Sequence, residues 1–237
     1  MREMIHDFDD LLLMLDELLK EQSRFDWNSF YTNREKKVPF FANNPDENLV
    51  NYFDDQLFKP GRVLELGCGP GRNAIYFAEK GCTVDAVDLS KEALEWAKER
   101  AEEKNLEINF IMENIFDLHA EEGSYDIIYD SGCFHHIPPH RRMSYINLIN
   151  KALKADGLFA ITCFVENGKL GGANISDWEV YRIRSLKGGL GFSKEKLRSI
   201  FKDFKEIEIR SMRELHPKSN VFGVDGLLTA VFKKSQS

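Results

Sequence analysis

The chain has 237 residues, 43% hydrophobic and 30% charged, with a formal net charge of −7 and a pI near 5.5. That length holds one large α/β domain with a full core and does not force a second. The mild acidity excludes an electrostatic case for DNA or RNA, because basic residues occur as pairs (Lys36 with Lys37, Arg141 with Arg142, Lys233 with Lys234) and not as a stripe. No apolar run approaches the roughly 20 residues of a membrane span, and no basic region followed by an apolar one opens the chain, so a cytoplasmic protein with no membrane partner is expected.

Ile5, Phe8, Leu11, Leu12, Leu15, Leu18 and Leu19 recur at helical spacing among Asp7, Asp9, Asp10, Asp16 and Glu17, which predicts an amphipathic helix capping the main domain. The stretch from Phe25 to Phe41 is aromatic and irregular (Trp27, Phe30, Tyr31, Pro39, Phe40, Phe41). Such side chains could line a ligand site, but in a connecting segment they are more often simply buried, and burial is the expectation here. Asn48 to Phe58 reads as a helix ended by Lys59, Pro60 and Gly61.

The next stretch, Gly61 to Gly71, reads GRVLELGCGPG: a short apolar run that stops in three glycines at alternate positions. Val63 to Leu66 suits a buried strand, and helical spacing resumes from Asn73, so the glycines form a strand-to-helix turn. Without a Cβ the backbone at Gly67, Gly69 and Gly71 can take positive φ, a ligand can lie against the main chain, and the free N–H groups of the following helix face an anionic group. Dinucleotide enzymes place the third glycine as in G-x-G-x-x-G, at position 72, where this chain has Arg72.

From there strands and helices alternate: helix Arg72 to Lys80, strand Thr83 to Val87 ending in Asp88, helix Lys91 to Lys104 capped by Ser90, strand Ile108 to Met112 leading to Asn114, strand Asp126 to Asp130, helix Arg141 to Ala155, and strand Leu158 to Phe164. This rhythm implies a parallel sheet covered on both faces. Val165 to Phe192 breaks it with a glycine-rich connection around Trp178 and Tyr181, and a connection this long is usually functional. Ser193 caps a helix to Phe201. Lys205 to Met212 and Leu227 to Phe232 then read as an antiparallel pair at the sheet edge. Cys68, Cys82, Cys133 and Cys163 are scattered, which favours free buried thiols over disulfides or zinc.

In an open α/β sheet a ligand sits beyond the carboxyl ends of the strands, and Glu65, Asp88, Asn114 and Asp130 all stand there. Asp88 lies about 20 residues beyond the first glycine, where an acid accepts both hydroxyls of a ribose; it could also be an N-terminal charge for the helix near Lys91. With the turn Glu65-Leu66-Gly67-Cys68-Gly69-Pro70-Gly71, the acid Asp88, the Glu113-Asn114-Ile115 step and the Asp126 to Asp130 strand, the chain resembles the class I S-adenosylmethionine-dependent methyltransferases from about Val63 to Phe164. That resemblance implies a Rossmann-like, doubly wound α/β sheet of seven strands, mostly parallel with an antiparallel last strand, behind an N-terminal helical cap. It implies S-adenosyl-L-methionine as cofactor, with Gly67, Gly69 and Gly71 against the methionine portion, Asp88 on the ribose hydroxyls, and Asn114 and Ile115 beside the adenine. Glu65, Cys68, Leu89 and Asp130 complete the expected cofactor-binding set. Many members carry an acid where Asn114 stands; its amide oxygen still accepts a hydrogen bond.

The segment Asp130 to Pro138, followed by Arg141-Arg142, looks like the small-molecule branch that contains thiopurine and tellurite-resistance methyltransferases, and Lys218-Ser219 with Gly223, Asp225 and Leu227 is similar to the thiopurine enzymes. The Asn/Asp-Pro-Pro-aromatic motif of exocyclic-amino-group methylators is absent from this loop. His135 and His136 are adjacent, so at most one is expected to point into the site, and without an oriented partner a structural role outweighs acid/base catalysis. No other catalytic candidate and no metal-ligand spacing stands out.

The expected organisation is one domain: residues 1–58 as cap and lead-in, 61–164 as cofactor-binding core, 165–192 as substrate lid, and 193–237 as C-terminal helix and strand pair. The N-terminal helix and the 165–192 segment are expected to roof the site together. The function read from this is methyl transfer to a small-molecule acceptor, a thiol or chalcogen compound first and an oxygen or nitrogen nucleophile second, by a monomer or homodimer. The alternatives are an NAD-dependent oxidoreductase and a non-catalytic adenosylmethionine-binding protein.

Overall fold

A computed structural model describes residues 4–20, 25–216 and 218–235. Helices α1 (Phe8–Lys20), α2 (Trp27–Thr32) and α3 (Glu47–Asp54) lead into β1 (Arg62–Leu66), α4 (Arg72–Glu79), β2 (Thr83–Asp88), α5 (Lys91–Glu103), β3 (Asn109–Met112), β4 (Tyr125–Ser131), α6 (Arg142–Ala152) and β5 (Leu153–Phe164). α7 (Asp177–Ile183), α8 (Lys194–Ile200), β6 (Phe204–Ser211) and β7 (Leu227–Lys234) complete the chain. The seven strands form one sheet in the order β3-β2-β1-β4-β5-β7-β6. Only β7 runs antiparallel to its neighbours, as expected of the last strand; it inserts between β5 and β6, so β6 and not β7 is the edge.

Alternation along each strand splits the core between the two faces of the sheet. Leu64 and Leu66 of β1 join Ile128, Phe159, Ile161 and Phe232 on one face, while Val63 joins Val84, Ile127, Ala160 and Val231 on the other. The order reverses between β1 and β4, so their connections turn to opposite faces and leave a crevice at the carboxyl ends.

Several boundaries differ from the sequence reading. The helix expected over Asn48 to Phe58 stops at Asp54, with Gln56 in the left-handed region. α6 gives way to β5 at Leu153, with Asp156 at positive φ inside the strand. Two short helices were not foreseen, α2 capped by Asp26 and α7 capped by Ser176, each too short to show a periodicity of its own. α1 buries Leu12 but leaves Phe8, Leu13 and Met14 exposed; it is tied down by Asp16, which accepts from His140 Nε2 at 2.8 Å and from Arg141 Nε at 3.0 Å. Among the described residues no helix is long and apolar enough to cross a membrane.

Under the glycine turn lies a buried ion pair. Arg72, the first residue of α4, places its guanidinium 2.6 Å from the wholly buried carboxylate of Asp46. Asp46 also accepts from the Tyr129 hydroxyl at 2.8 Å and from Asn73 Nδ2 at 3.1 Å, and its own N–H donates to Asn73 Oδ1 at 2.9 Å. Arg72 completes its donors on the Asn44 carbonyl and Ser131 Oγ and lies 4.5 Å over the Phe222 ring. Removing one member of such a pair strands the other charge. Asp46→Ala should therefore lower the unfolding free energy by about 3–5 kcal/mol, whereas Glu17→Ala, which frees the exposed Lys20, should cost under about 1 kcal/mol. Urea unfolding of both variants checks this, and equal small losses would contradict it.

Candidate functional site

A cavity of about 360 Å³ opens over the carboxyl ends of the strands, within the size range of small-molecule sites. β1 feeds it through the glycine turn. Cys68 N–H donates to the Val87 carbonyl at 2.9 Å, and Gly69 N–H donates to Asp88 Oδ2 at 2.8 Å, which ties the turn to the end of β2. The other oxygen of Asp88 accepts from Ser90 N–H at 2.8 Å, so this acid braces both the turn and the start of α5 while facing the cavity. Burial pushes its pKa above the ordinary carboxylate value against the pull of these N–H donors.

Glu65, at the end of β1, is buried with Oε2 unpartnered and lines the cavity. Burial pushes its carboxyl up to about 8; the Arg72 charge pulls the other way, and Asp46 beside it pushes up again. A raised folded pKa means this group's contribution to stability is complete below the unfolded carboxyl range and is lost as pH rises through about 8. At neutral pH the floor of the cavity therefore carries a neutral acid.

Of the expected cofactor set, Glu65, Gly67, Cys68, Gly69, Asp88, Leu89, Asn114 and Ile115 line the cavity together, and Gly71 and Asp130 do not. Gly71 sits at φ +77, and a Cβ there would stand 2.9 Å from the Ala97 Cβ, so this glycine serves the close approach of α4 to α5. Asp130 is wholly buried, accepting from the Tyr145 hydroxyl at 2.7 Å and from the Cys133 and Phe134 N–H groups, with its pKa pushed up to about 6 by burial. Its task is to fold the loop after β4. Asn114 lends its Oδ1 to Phe116 N–H at 3.1 Å. All four cysteines are free, and Cys68 and Cys133 border the cavity as thiols whose pKa burial pushes up.

The loop after β4 corrects one expectation. The tight turn Phe134–His136 brings both His135 and His136 to the cavity, not one. The His135 ring stacks on Phe164 with centroids 3.7 Å apart, and His136 stands edge-on to Trp27 at 4.8 Å. His135 Nδ1 accepts from the Phe164 N–H at 3.4 Å, which puts the ring proton on Nε2. Burial drives the His135 pKa well below the usual imidazole range and that of His136 to about 4, so both rings are neutral at pH 7.

The roof is a second correction. α1 contributes no lining residue; it packs behind the site on the Pro139–Arg141 turn, and from the 165–192 segment only Leu170 reaches the cavity. The roof is the aromatic segment: Trp27, Tyr31, Pro39 and Phe40 cover the crevice. Tyr31 stacks on Phe41 and carries its hydroxyl to 3.0 Å from where a Gly69 Cβ would stand. Asn28 fastens α2 to the start of α5 by accepting from the Glu92 N–H and the Ser90 hydroxyl. The sequence reading missed Arg72, Thr162, Phe164, Phe222 and Leu227 as lining residues; the aromatic run was a usable signal for the roof alone.

Residues 63–157 match a family model described as a methyltransferase domain. An uncharacterized methyltransferase of Schizosaccharomyces pombe is 30% identical over 124 residues, covering 52% of this chain and 83% of that protein. The Burkholderia thailandensis 1,6-didemethyltoxoflavin-N1-methyltransferase, solved with 1,6-didemethyltoxoflavin and S-adenosylhomocysteine, is similar at a TM-score of 0.62 and 19% identity, over 100% of this chain and 93% of that one. TehB from Haemophilus influenzae aligns at a TM-score of 0.60 and 22% identity, over 79% of this chain and 62% of that one. With Asp88 holding the turn and facing the cavity, Asp88→Ala should weaken adenosylmethionine binding by about 1–3 kcal/mol, the loss when charge-assisted hydrogen bonds go unmade. Calorimetric titration of the variant at wild-type affinity would contradict the assignment.

Proposed function

We propose, for a chain that belongs to the class I S-adenosylmethionine-dependent methyltransferases, that it methylates a small soluble acceptor, a thiol or related chalcogen compound, by direct in-line transfer. Bound in the cavity, the cofactor would supply a methyl group on a sulfonium; its transfer to the acceptor sulfur would break the carbon–sulfonium bond, and the thiol proton would leave to solvent. The residues present fit that cofactor. The Asp88 carboxylate and the Gly67 to Gly69 main chain face the cavity where a ribose and a methionine portion would lie, and the unpartnered Glu65 Oε2 would meet the cofactor's ammonium. Asn114 and Ile115 would border the adenine, and Leu89 the outer edge.

The chain's own contribution is then position and dryness. Trp27, Tyr31 and Phe40 exclude water above the turn, and the rigid loop held by Asp130 fixes the wall on which the acceptor lies. The functional division follows: 1–58 as cap, whose 25–41 part forms the roof, 61–164 as cofactor core, 165–192 as an insert reaching the site through Leu170, and 193–237 as the closing strand pair. The observation that carries the acceptor class is the state of the two histidines. Both are neutral, neither has a carboxylate orienting it among the described residues, and His136 with a pKa of about 4 is a weak base at pH 7. A thiol needs least help, since with a pKa near 8.5 a few per cent is already thiolate at neutral pH.

His136→Ala should accordingly keep turnover with a thiol acceptor within about tenfold of wild type, below the hundredfold or more that a general base contributes. A thousandfold fall in kcat with cofactor affinity intact would contradict the thiol reading and move the acceptor to a hydroxyl or amine.

A further inference from the structure

The sheet order separates the two ends of the cavity. β2 and β3 end at Asp88 and Met112 on one side of the glycine turn, while β4, β5 and β7 lie on the other. The wall on that far side is made by His135, His136, Phe164, Leu170, Phe222 and Leu227. Phe164 and Leu227 are register partners on β5 and β7, so the apolar surface is built on paired strands and not on a loose loop. The two imidazoles in it are neutral, and His135 lies flat on Phe164. The cation bordering this end, Arg72, is committed to Asp46 at 2.6 Å, to the Asn44 carbonyl and to Ser131. The carboxyl beside Arg72, Glu65, is the group that would meet the cofactor's ammonium, so with cofactor bound neither it nor Arg72 is left to meet a charged acceptor.

Beyond the two imidazoles, one buried hydroxyl of this wall is left unpaired. Thr162, beside Ser131 in the β4–β5 register, is 1% exposed, lines the cavity, and its Oγ1 has no hydrogen-bond partner. Buried hydroxyls are normally paired, and an unpaired one on a cavity wall is a place where a ligand atom recovers the lost bond. A charged group placed against the surrounding rings would lose its hydration without gaining a counter-charge.

We infer that the far end of the cavity is an acceptor subsite for an uncharged, largely apolar molecule, a neutral aryl or alkyl thiol, held through one polar atom by the Thr162 hydroxyl. This rests on the methyltransferase reading and narrows it: zwitterionic or anionic thiols such as cysteine and glutathione are excluded from the subsite. Thr162 is a specificity-determining residue here, without a part in the bond changes.

The test compares thiophenol, 2-mercaptoethanol, cysteine and glutathione as acceptors with adenosylmethionine, reading adenosylhomocysteine formation. Wild-type enzyme should show kcat/KM at least a hundredfold higher for the two neutral thiols. Thr162→Val should raise KM for 2-mercaptoethanol about tenfold with kcat and the calorimetric Kd for adenosylhomocysteine unchanged, and Thr162→Ser should restore KM. Because the hydroxyl has no partner within the protein, Thr162→Val should melt at or above the wild-type temperature. Preference for cysteine or glutathione, an unmoved KM, or a lowered melting temperature in Thr162→Val would each overturn the subsite. Failure to bind adenosylhomocysteine at all would overturn the methyltransferase reading beneath it, and calorimetry distinguishes the two failures.

Discussion

Burying a guanidinium directly under the glycine turn is the constraint from which the rest of the site follows. Arg72 cannot keep its charge in the interior unless it is met, and Asp46 meets it from a different part of the chain, carrying the start of α3 against the start of α4. The Tyr129 hydroxyl and Asn73 Nδ2 both donate to Asp46 Oδ2, the oxygen that does not face Arg72, which joins β4 to the same cluster. With Arg72 already neutralised by Asp46, Glu65 next to both feels little net field, and burial decides its state. A charged pair thus produces a neutral acid at the cavity floor.

The same economy of dual roles recurs around the crevice. Asp88 braces the main chain on both sides of itself and still borders the cavity, so holding the start of α5 does not take it away from the crevice. Asp130 spends all its capacity on the loop after β4, and in doing so presents His135 and His136 together. The roof is held by a polar clasp of Asn28 on Ser90 and Glu92, which fastens the cover to the same short stretch of chain as Asp88.

Much of this was legible in the sequence because it is local. The apolar run into alternating glycines, the helix spacing after Asn73 and the acid at position 88 each follow from neighbouring residues, and the parallel rhythm of strands and helices follows from them. What was not legible depends on partners distant in the chain. Gly71 looked like its two sister glycines, yet its lack of a Cβ serves Ala97 on α5; Asp130 looked like a strand-end ligand, yet Tyr145 and two backbone N–H groups consume it. The roof was assigned to α1 together with the 165–192 segment because their apolar and aromatic residues suggest something to cover, but α1 keeps part of its face exposed, the segment sends in Leu170 alone, and the irregular aromatic run, which has no periodicity to read, does the covering. Both histidines reach the cavity because a tight turn, unlike a strand, does not send adjacent side chains to opposite faces.

An ammonium placed against the unpartnered Glu65 Oε2 favours the carboxylate and draws its raised pKa back down, so cofactor binding on the proposed reading expels the Glu65 proton. Calorimetric titration of adenosylmethionine at pH 6.5 in buffers of different ionisation enthalpy counts that proton. Release of close to one proton per cofactor bound, abolished in Glu65→Gln, is the predicted result. A binding heat in the wild-type protein that does not depend on the buffer would contradict it.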